Sequence, residues 1–362
     1  MRVAVLGAGA GGAAAVVELV ANAHDVVLWN RSGAALAPFQ ALGGIRYEGV
    51  LGVGLARPRA ITADLTAAIT VADVALVVLP TFSHASVARA LADADWPADK
   101  PVVLNPGHTG GVLEFSEAFR SRRAHAPPVA EFSTLTYVAR RYAPDSVTVT
   151  GRAKEVRAAA LPGSAAALAA ARALFPNSVA MPDVLASGLA NVNMVLHPPG
   201  AILAAAWVEA MEGAFTFYVE AMTDGVARTM RRLDDERRAV ARAFGHDLPN
   251  LIEEMKRIGT VEAEIVDLDD LRPAISSGAA NQRIRAPDSL THRYYREDFG
   301  HGLLPFIELA SIAGVEVPIA ASLLTLAGAL TGIDYRKGGR TAGAMGIAGM
   351  SKRQLERHVR AE

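Results

Sequence analysis

Gly7-Ala8-Gly9-Ala10-Gly11-Gly12 is the stretch on which the reading of this chain turns. Arg2-Val3-Ala4-Val5-Leu6 before it reads as a buried strand, and Ala13 to Ala23 after it reads as a helix. Glycines at 7, 9 and 12 therefore form G-x-G-x-x-G in the strand–turn–helix setting that the dinucleotide fingerprint requires. Gly7 permits the tight turn, Gly9 lets the backbone approach a pyrophosphate, and Gly12 lets helix and strand pack closely. Ala10 and Gly11 lie where the helix opens, and its unpaired N–H groups and positive dipole end favour phosphate there.

The next strand, Asp25 to Trp29, ends in Asn30-Arg31-Ser32. A site that prefers NAD usually carries Asp or Glu at this point to bind the ribose 2′-hydroxyl. Here an amide, a guanidinium and a hydroxyl replace the carboxylate, and Asp25 stands at the wrong end of the strand to compensate. Arg31 is suited to a 2′-phosphate through charge-assisted hydrogen bonds, so NADP is the preferred coenzyme. If Arg31 is merely a solvated loop residue, NAD serves as well.

The 362 residues have room for two domains, and 51% hydrophobic with 20% charged residues describes a globular protein with substantial cores. A formal net charge of −1 gives no electrostatic case for nucleic acid or an anionic membrane. Pairs such as Arg122-Arg123, Arg231-Arg232 and Arg237-Arg238 are short and mixed with acids, as on solvated helix faces. The chain has no cysteine, which excludes disulfides and thiol catalysis. The alanine-rich stretches fall short of a membrane span, and a cytoplasmic location is expected.

Up to about residue 182 apolar strands alternate with amphipathic helices, the mark of a parallel α/β sheet. Gly43 to Ala56 reads as a hairpin insertion, and Val147–Thr150 and Val156–Ala159 as late strands that finish the domain. Strands at 74–79, 102–104 and 129–132 end near Pro80, Asn105 and Thr134, which should face the coenzyme because ligands bind outside the carboxyl ends of such strands. From 183 onward helical segments dominate, at Ala201–Arg232, Glu236–Phe244, Leu248–Ile258, Leu303–Gly314 and Ile319–Thr331, broken at Pro198-Pro199-Gly200 and Arg285-Ala286-Pro287. The expected architecture is an α/β Rossmann-type N-terminal domain over 1–182 and an all-helical C-terminal domain over 183–362. The charged stretch Ser351 to Glu362 is expected to fray.

Nicotinamide chemistry needs a proton donor and a grip on substrate charge. No Gly-x-Ser-x-Gly elbow and no His-Glu-x-x-His metal pattern occurs. Among the nine histidines, His197 stands out by context, in Asn191-Val192-Asn193-Met194-Val195-Leu196-His197-Pro198-Pro199. The Asn-x-Asn pair in an apolar run suggests polar groups aimed at a cleft, and Pro198 biases His197 towards an extended conformation at a helix end. The second element is His292-Arg293-Tyr294-Tyr295-Arg296-Glu297-Asp298. There Arg293 is able to hold a carboxylate bidentately and Asp298 to orient an imidazole, although a solvated helix end explains the run equally. Phe215, Phe217 and Tyr218 read as helix core.

The chain resembles the opine dehydrogenases, the octopine/nopaline dehydrogenase family, over nearly its whole length. The resemblance rests on the glycine loop, Asn-x-Asn-x-x-x-His-Pro at 191–198, Gly213 to Tyr218, Leu233 to Arg237, Arg293-Tyr294 with Glu297-Asp298, Gly302 to Pro305 and Gly314 to Pro318. It implies a Rossmann domain, a helical domain and substrate between them. It puts the catalytic histidine at His197, its partner aspartate at Asp298 and the keto-acid-binding arginine at Arg293, with Asn193 and Tyr294 as further substrate contacts. Asn30-Arg31-Ser32 departs from members that carry an acid there, which counts against a preference for NAD. The implied reaction is NAD(P)H-dependent condensation of an α-amino acid with an α-keto acid. The alternative is a ketopantoate-reductase or 2-hydroxyacid type reductase with no amine partner. A homodimer would account for the large apolar helix faces, as would internal packing.

Overall fold

A computed structural model describes residues 1–279 and 281–360. Two compact units emerge, Met1–Gly107 with Gly111–Met181, and His108–Gly110 with Pro182–Glu362.

Twelve strands lie in the first unit: β1 (Arg2–Leu6), β2 (Asp25–Trp29), β3 (Ile45–Gly49), β4 (Gly54–Ala56), β5 (Ala60–Thr62), β6 (Val74–Val77), β7 (Val102–Leu104), β8 (Val129–Phe132), β9 (Tyr137–Arg140), β10 (Ser146–Arg152), β11 (Val156–Ala160) and β12 (Ser178–Ala180). Eight form the main sheet, in the order β12-β11-β8-β7-β6-β1-β2-β5. All neighbours in it run parallel except β11 against β8. The central strands are unbroken apolar runs because helices cover both faces of such a sheet, so no residue is left to alternate toward water. The strand order reverses beside β1, with Leu6 in register with Trp29 on one side and Val77 on the other. That register levels the carboxyl ends of β1, β2 and β6, bringing the glycine loop, Asn30 and the approach to Pro80 to one edge.

The remaining strands form a second sheet, β4-β3-β10-β9. The expected hairpin over 43–56 is present as antiparallel β3 and β4. Val147–Thr150, expected as a late strand of this domain, lies within β10, which pairs with β3 and β9 and stands outside the main sheet. Its alternation explains this: Val147 and Val149 are buried while Thr148 and Thr150 face outward, a pattern suited to a half-exposed sheet. The Tyr137 hydroxyl of β9 donates to the buried Glu18 carboxylate at 2.6 Å and ties this sheet to the helix after the glycine loop.

The second unit is helical, its strand-like pairing among the described residues being one bridge between Thr216 and Arg285. Expected helix bounds change in three places. Asn193–Leu203 is one buried helix that contains Pro198 and Pro199, so His197 lies mid-helix rather than extended at an end. Burial of nearly every side chain in that helix outweighs the two lost N–H donors. Conversely, the segment expected to be one helix from 201 to 232 is interrupted after Met211. Gly213 adopts φ +73°, and a Cβ there would meet the Ala286 carbonyl at 2.8 Å. Helix resumes as Asp224–Ala243, running through the break expected between 232 and 236.

The Leu233–Arg237 motif is architectural. Arg237, fully buried, pairs with Asp234 at 2.7 Å and donates to the carbonyls of Leu189 and Pro249, while Glu236 caps the helix Pro318–Thr331 through the N–H groups of Ile319 and Ala320. The expected fraying is not seen over 351–360. Ser351 opens a capped helix, Lys352–Val359, and Arg360 is bonded to Asp183 at 2.6 Å. Residues 361 and 362, which that expectation also covered, lie outside the described residues. No single described helix is long and apolar enough to cross a membrane; the pair Val184–Leu203 and Ala205–Met211 reaches that length only jointly, bent by 67°.

Candidate active site

The glycine loop is built for close approach. Gly7 has φ +128°, and a Cβ on it would fall 2.2 Å from the Val78 carbonyl oxygen. A Cβ on Gly12 would fall 1.9 Å from the carbonyl oxygen of Gly7 itself, so this contact between loop and helix excludes every other residue. Around the Cβ position of Gly9, by contrast, nothing lies within 4 Å. Gly9 is therefore open on its outer side, and the helix whose free N–H groups point there begins at Ala10. Gly11 packs near Leu135. These features fit a dinucleotide pyrophosphate.

Asn30 turns inward and fastens the loop: its Oδ1 accepts from the Ala8 N–H at 3.3 Å, and its Nδ2 donates to the Ser32 carbonyl at 3.3 Å. Arg31 and Ser32 are exposed. Pro80 is half-buried and opens a short 3₁₀ turn at Thr81–Ser83. Asn105 does not fit the expectation that it faces a coenzyme. It is fully buried, and Thr136 occupies both ends of its amide, accepting at 2.9 Å and donating its N–H at 3.2 Å. Thr134 is also buried, at 7% exposure.

In the helical unit the expected catalytic residues converge. His197 Nδ1 lies 2.7 Å from Asp298 Oδ2, both groups nearly buried. That hydrogen bond fixes the ring tautomer and leaves Nε2 free of Asp298. Asp298 closes the six-residue helix Arg293–Asp298, and Tyr294 of the same helix stacks on the imidazole at 3.9 Å. The helix is capped by His292, whose Nδ1 accepts from the Tyr294 N–H at 3.3 Å. Arg293 is half-exposed and lies 3.6 Å from Glu297. Burial pulls its pKa down, but the Glu297 and Asp298 carboxylates outweigh that and raise it, so the guanidinium stays charged.

The Asn-x-Asn pair divides. Asn191 is fully buried, held by Thr109 at 3.3 Å, with its Oδ1 accepting from the Asn193 N–H at 3.1 Å; it is a structural residue. The Asn193 amide nitrogen lies 3.3 Å from His108 Nε2.

His108 was missed by sequence reasoning. It follows Asn105-Pro106-Gly107 and belongs to the helical unit, where Arg340 holds its neighbour Thr109 through the carbonyl at 2.7 Å. His108 is 3% exposed, its Nδ1 has no hydrogen-bond partner, and it adopts φ +59°. Burial first, then the charges of Arg340 and Arg293, push its pKa down to about 3 against the pull of Asp298. It is a neutral imidazole beside the His197–Asp298 pair.

Phe217 and Tyr218, expected in a helix core, are buried but not helical. They lie in the irregular segment after Met211, where Phe217 N–H donates to the Ile284 carbonyl, and their rings stand 6.4 and 6.3 Å from that of His197. Gly200 admits them: a Cβ there would meet Phe217 at 2.8 Å.

Residues 180–331 match the family model described as NAD/NADP octopine/nopaline dehydrogenase, alpha-helical domain. Residues 2–109 match that of the NAD-dependent glycerol-3-phosphate dehydrogenase N-terminus. An opine dehydrogenase of Arthrobacter sp. (strain 1C) is 34% identical over 96% of this chain and 96% of its own length. The chain belongs to the opine dehydrogenase family. It is an NAD(P)-dependent oxidoreductase, and the family reaction is the reductive condensation of an α-amino acid with an α-keto acid. The solved structure of octopine dehydrogenase with NADH and L-arginine shares its fold, with a TM-score of 0.78 at 21% identity over 100% of this chain and 99% of that one. NADP⁺-bound yersinopine dehydrogenase shares it at 0.74 and 17% identity, over 95% and 97%. The alternative of a keto reductase without an amine partner has less support, because both the helical-domain match and the Arthrobacter relative are opine-forming dehydrogenases.

Proposed function

We propose that this opine dehydrogenase grips the keto acid with Arg293, moves protons through His197 and prefers NADPH. The observation that carries the reading is the 2.7 Å bond between His197 Nδ1 and Asp298 Oδ2, formed at the far end of the short helix that Arg293 opens. When bound, the coenzyme would rest on Gly7, Gly9, Ala10, Gly11 and Gly12, with Asn30, Arg31, Ser32 and Pro80 around its adenosine half, and would supply the hydride.

Arg293 would hold the keto-acid carboxylate through its planar fork, which fixes the carbonyl carbon in place; positioning of this kind is worth several kcal/mol. His197 Nε2 would donate a proton to the carbonyl or carbinolamine oxygen as water leaves during imine formation. Asp298 would stabilise the imidazolium before that transfer and keep the same nitrogen turned outward after it. Asn193 and Tyr294 would border the amino-acid substrate, and His108, neutral at physiological pH, would stay silent in acid–base terms. Pyruvate is one candidate keto acid, since octopine dehydrogenase has been solved with it. The soluble partners are thus an amino acid and a keto acid, in a chain expected to work in the cytoplasm, as monomer or homodimer.

For coenzyme preference, the support is chemical. An exposed Arg31 with no carboxylate at the end of β2 suits a 2′-phosphate, which an acid would repel.

The decisive experiment crosses a panel of amino acids with pyruvate, glyoxylate and 2-oxoglutarate, each with NADH and NADPH, and identifies products by mass spectrometry. Amine-dependent coenzyme consumption with an N-(carboxyalkyl) product is expected. Equal consumption with a keto acid alone would sink the condensation and favour a simple keto reductase.

A further inference from the structure

Arg141 lies in the loop between β9 and β10, far in sequence from the glycine loop, yet the two are bonded. Its Nη1 donates to the Ala8 carbonyl at 2.9 Å, and its Nη2 donates to the Pro144 carbonyl. The guanidinium carbon stands over the Phe39 ring, 4.4 Å from its centre, so the cation is seated on an aromatic face. The Ala8 peptide is thereby held at both ends, its N–H by Asn30 and its carbonyl by Arg141. Ala8 separates the first two glycines of the fingerprint, and Asn30 stands where the adenosine ribose is recognised.

Arg141 is also short of partners. A guanidinium offers five N–H bonds, and the two carbonyls take two. Its Nε is buried without an acceptor. Asp145, the nearby acid in its own loop, is committed to Arg46 at 2.7 Å, and no ion pair reaches Arg141 among the described residues. Burial accordingly lowers the pKa of Arg141, only partly offset by Asp145. A half-buried cation kept without a carboxylate is costly, and an anionic ligand offsets that cost.

We propose that Arg141 is a second coenzyme-specifying cation, which pairs with the 2′-phosphate of NADP(H) from the β9–β10 loop while Arg31 approaches from the end of β2. This rests on the reading that the enzyme prefers NADPH, and it adds what Arg31 alone lacks. Arg31 is free in solvent, whereas Arg141 is locked in place before the coenzyme arrives, so less conformational freedom is lost on binding.

Binding, not turnover, is the test. The affinities of NADPH and NADH, and of adenosine 2′,5′-bisphosphate and AMP as fragments, are measured by fluorescence and calorimetry for the wild type, Arg141→Met, Arg141→Lys and Arg31→Ala. Met keeps the apolar stem over Phe39, and Lys keeps the charge, so at least one variant retains the loop packing. Expected is a loss of about 10- to 100-fold for NADPH and the bisphosphate in Arg141→Met, with NADH and AMP moving less than about threefold, and an intermediate loss in Arg141→Lys. If Arg141→Met weakens all four ligands alike, Arg141 is only a brace for the glycine loop and the proposal falls. It falls equally if Arg31→Ala abolishes the NADPH preference while Arg141→Met leaves it intact, although the coenzyme reading then stands. A wild type that binds NADH as tightly as NADPH removes the coenzyme reading and this proposal together.

Discussion

The rings of His197 and Tyr294 lie face to face, their centres 3.9 Å apart and their planes 12° apart. Asp298 holds the same imidazole from its edge, so one short helix restrains it in two directions. Helical spacing explains how. Tyr294 and Asp298 are four residues apart and project on one face, toward His197, while Arg293 and Glu297 share the neighbouring face and pair at 3.6 Å. The segment thus fixes the imidazole of His197 and presents the Arg293 guanidinium from adjacent stripes.

If stacking is what Tyr294 provides, Tyr294→Phe should keep kcat within about threefold of wild type, because the aromatic face survives. Tyr294→Ala should lower kcat by about 2- to 10-fold, the range set by an aromatic pair energy of ~0.5–1.5 kcal/mol. Steady-state kinetics on both variants check this. An equal loss in Phe and Ala variants would assign the role to the hydroxyl instead.

If His197 is the acid–base group, its removal has a larger expected effect. His197→Ala should reduce kcat by about 10²- to 10⁴-fold, the usual contribution of general acid–base catalysis, with coenzyme affinity unchanged. Asp298→Asn should also be severe, because an amide can bond the imidazole in the wrong tautomer. Retention of half the activity in either variant would remove the pair from the mechanism. Coenzyme titration of the same preparations separates a catalytic defect from misfolding.

Arg293→Lys should raise KM for the keto acid by about 10- to 100-fold and leave KM for the amino acid nearly unchanged, since an ammonium cannot reproduce the two parallel hydrogen bonds of the fork. A larger change in KM for the amino acid would reassign the arginine to the other substrate.

The parts of this molecule that could be read from its sequence were those where local chemistry and fold agree. The glycines at 7, 9 and 12 demand a particular turn, and the structure has it directly after β1. The pairing of His197 with Asp298 on the helix that carries Arg293 was legible through motif resemblance, not through spacing, because 101 residues separate the imidazole from its carboxylate. What escaped was decided by packing. Prolines 198 and 199 signal a break, yet burial keeps them helical. Phe217 and Tyr218 look like helix core until Gly213 and the Thr216–Arg285 bridge turn the chain around His197. His108 carries no local signal beyond its place after a strand end, and its partners Asn193 and Arg340's hold on Thr109 are contacts across long sequence distances.

That histidine leads to a prediction about acid stability. His108 and His301 are buried with pKa values lowered to about 3, and His292 to about 4, chiefly by burial. The folded form of each is neutral over a range where the unfolded chain, near the ordinary imidazole value of about 6.5, takes up a proton. The unfolded state therefore binds more protons between about pH 6.5 and the depressed values, and stability falls as the pH is lowered through that window. Above it these groups contribute no pH dependence. Each contributes a slope of about 1.4 kcal/mol per pH unit in the part of the window where it is fully engaged. Urea unfolding at several values between about pH 7 and pH 5 should give a steep decline that His108→Gln makes shallower by roughly one proton's worth. An unchanged slope in that variant would mean that His108 is already protonated in the folded enzyme, and the neutral imidazole beside His197 would have to be abandoned.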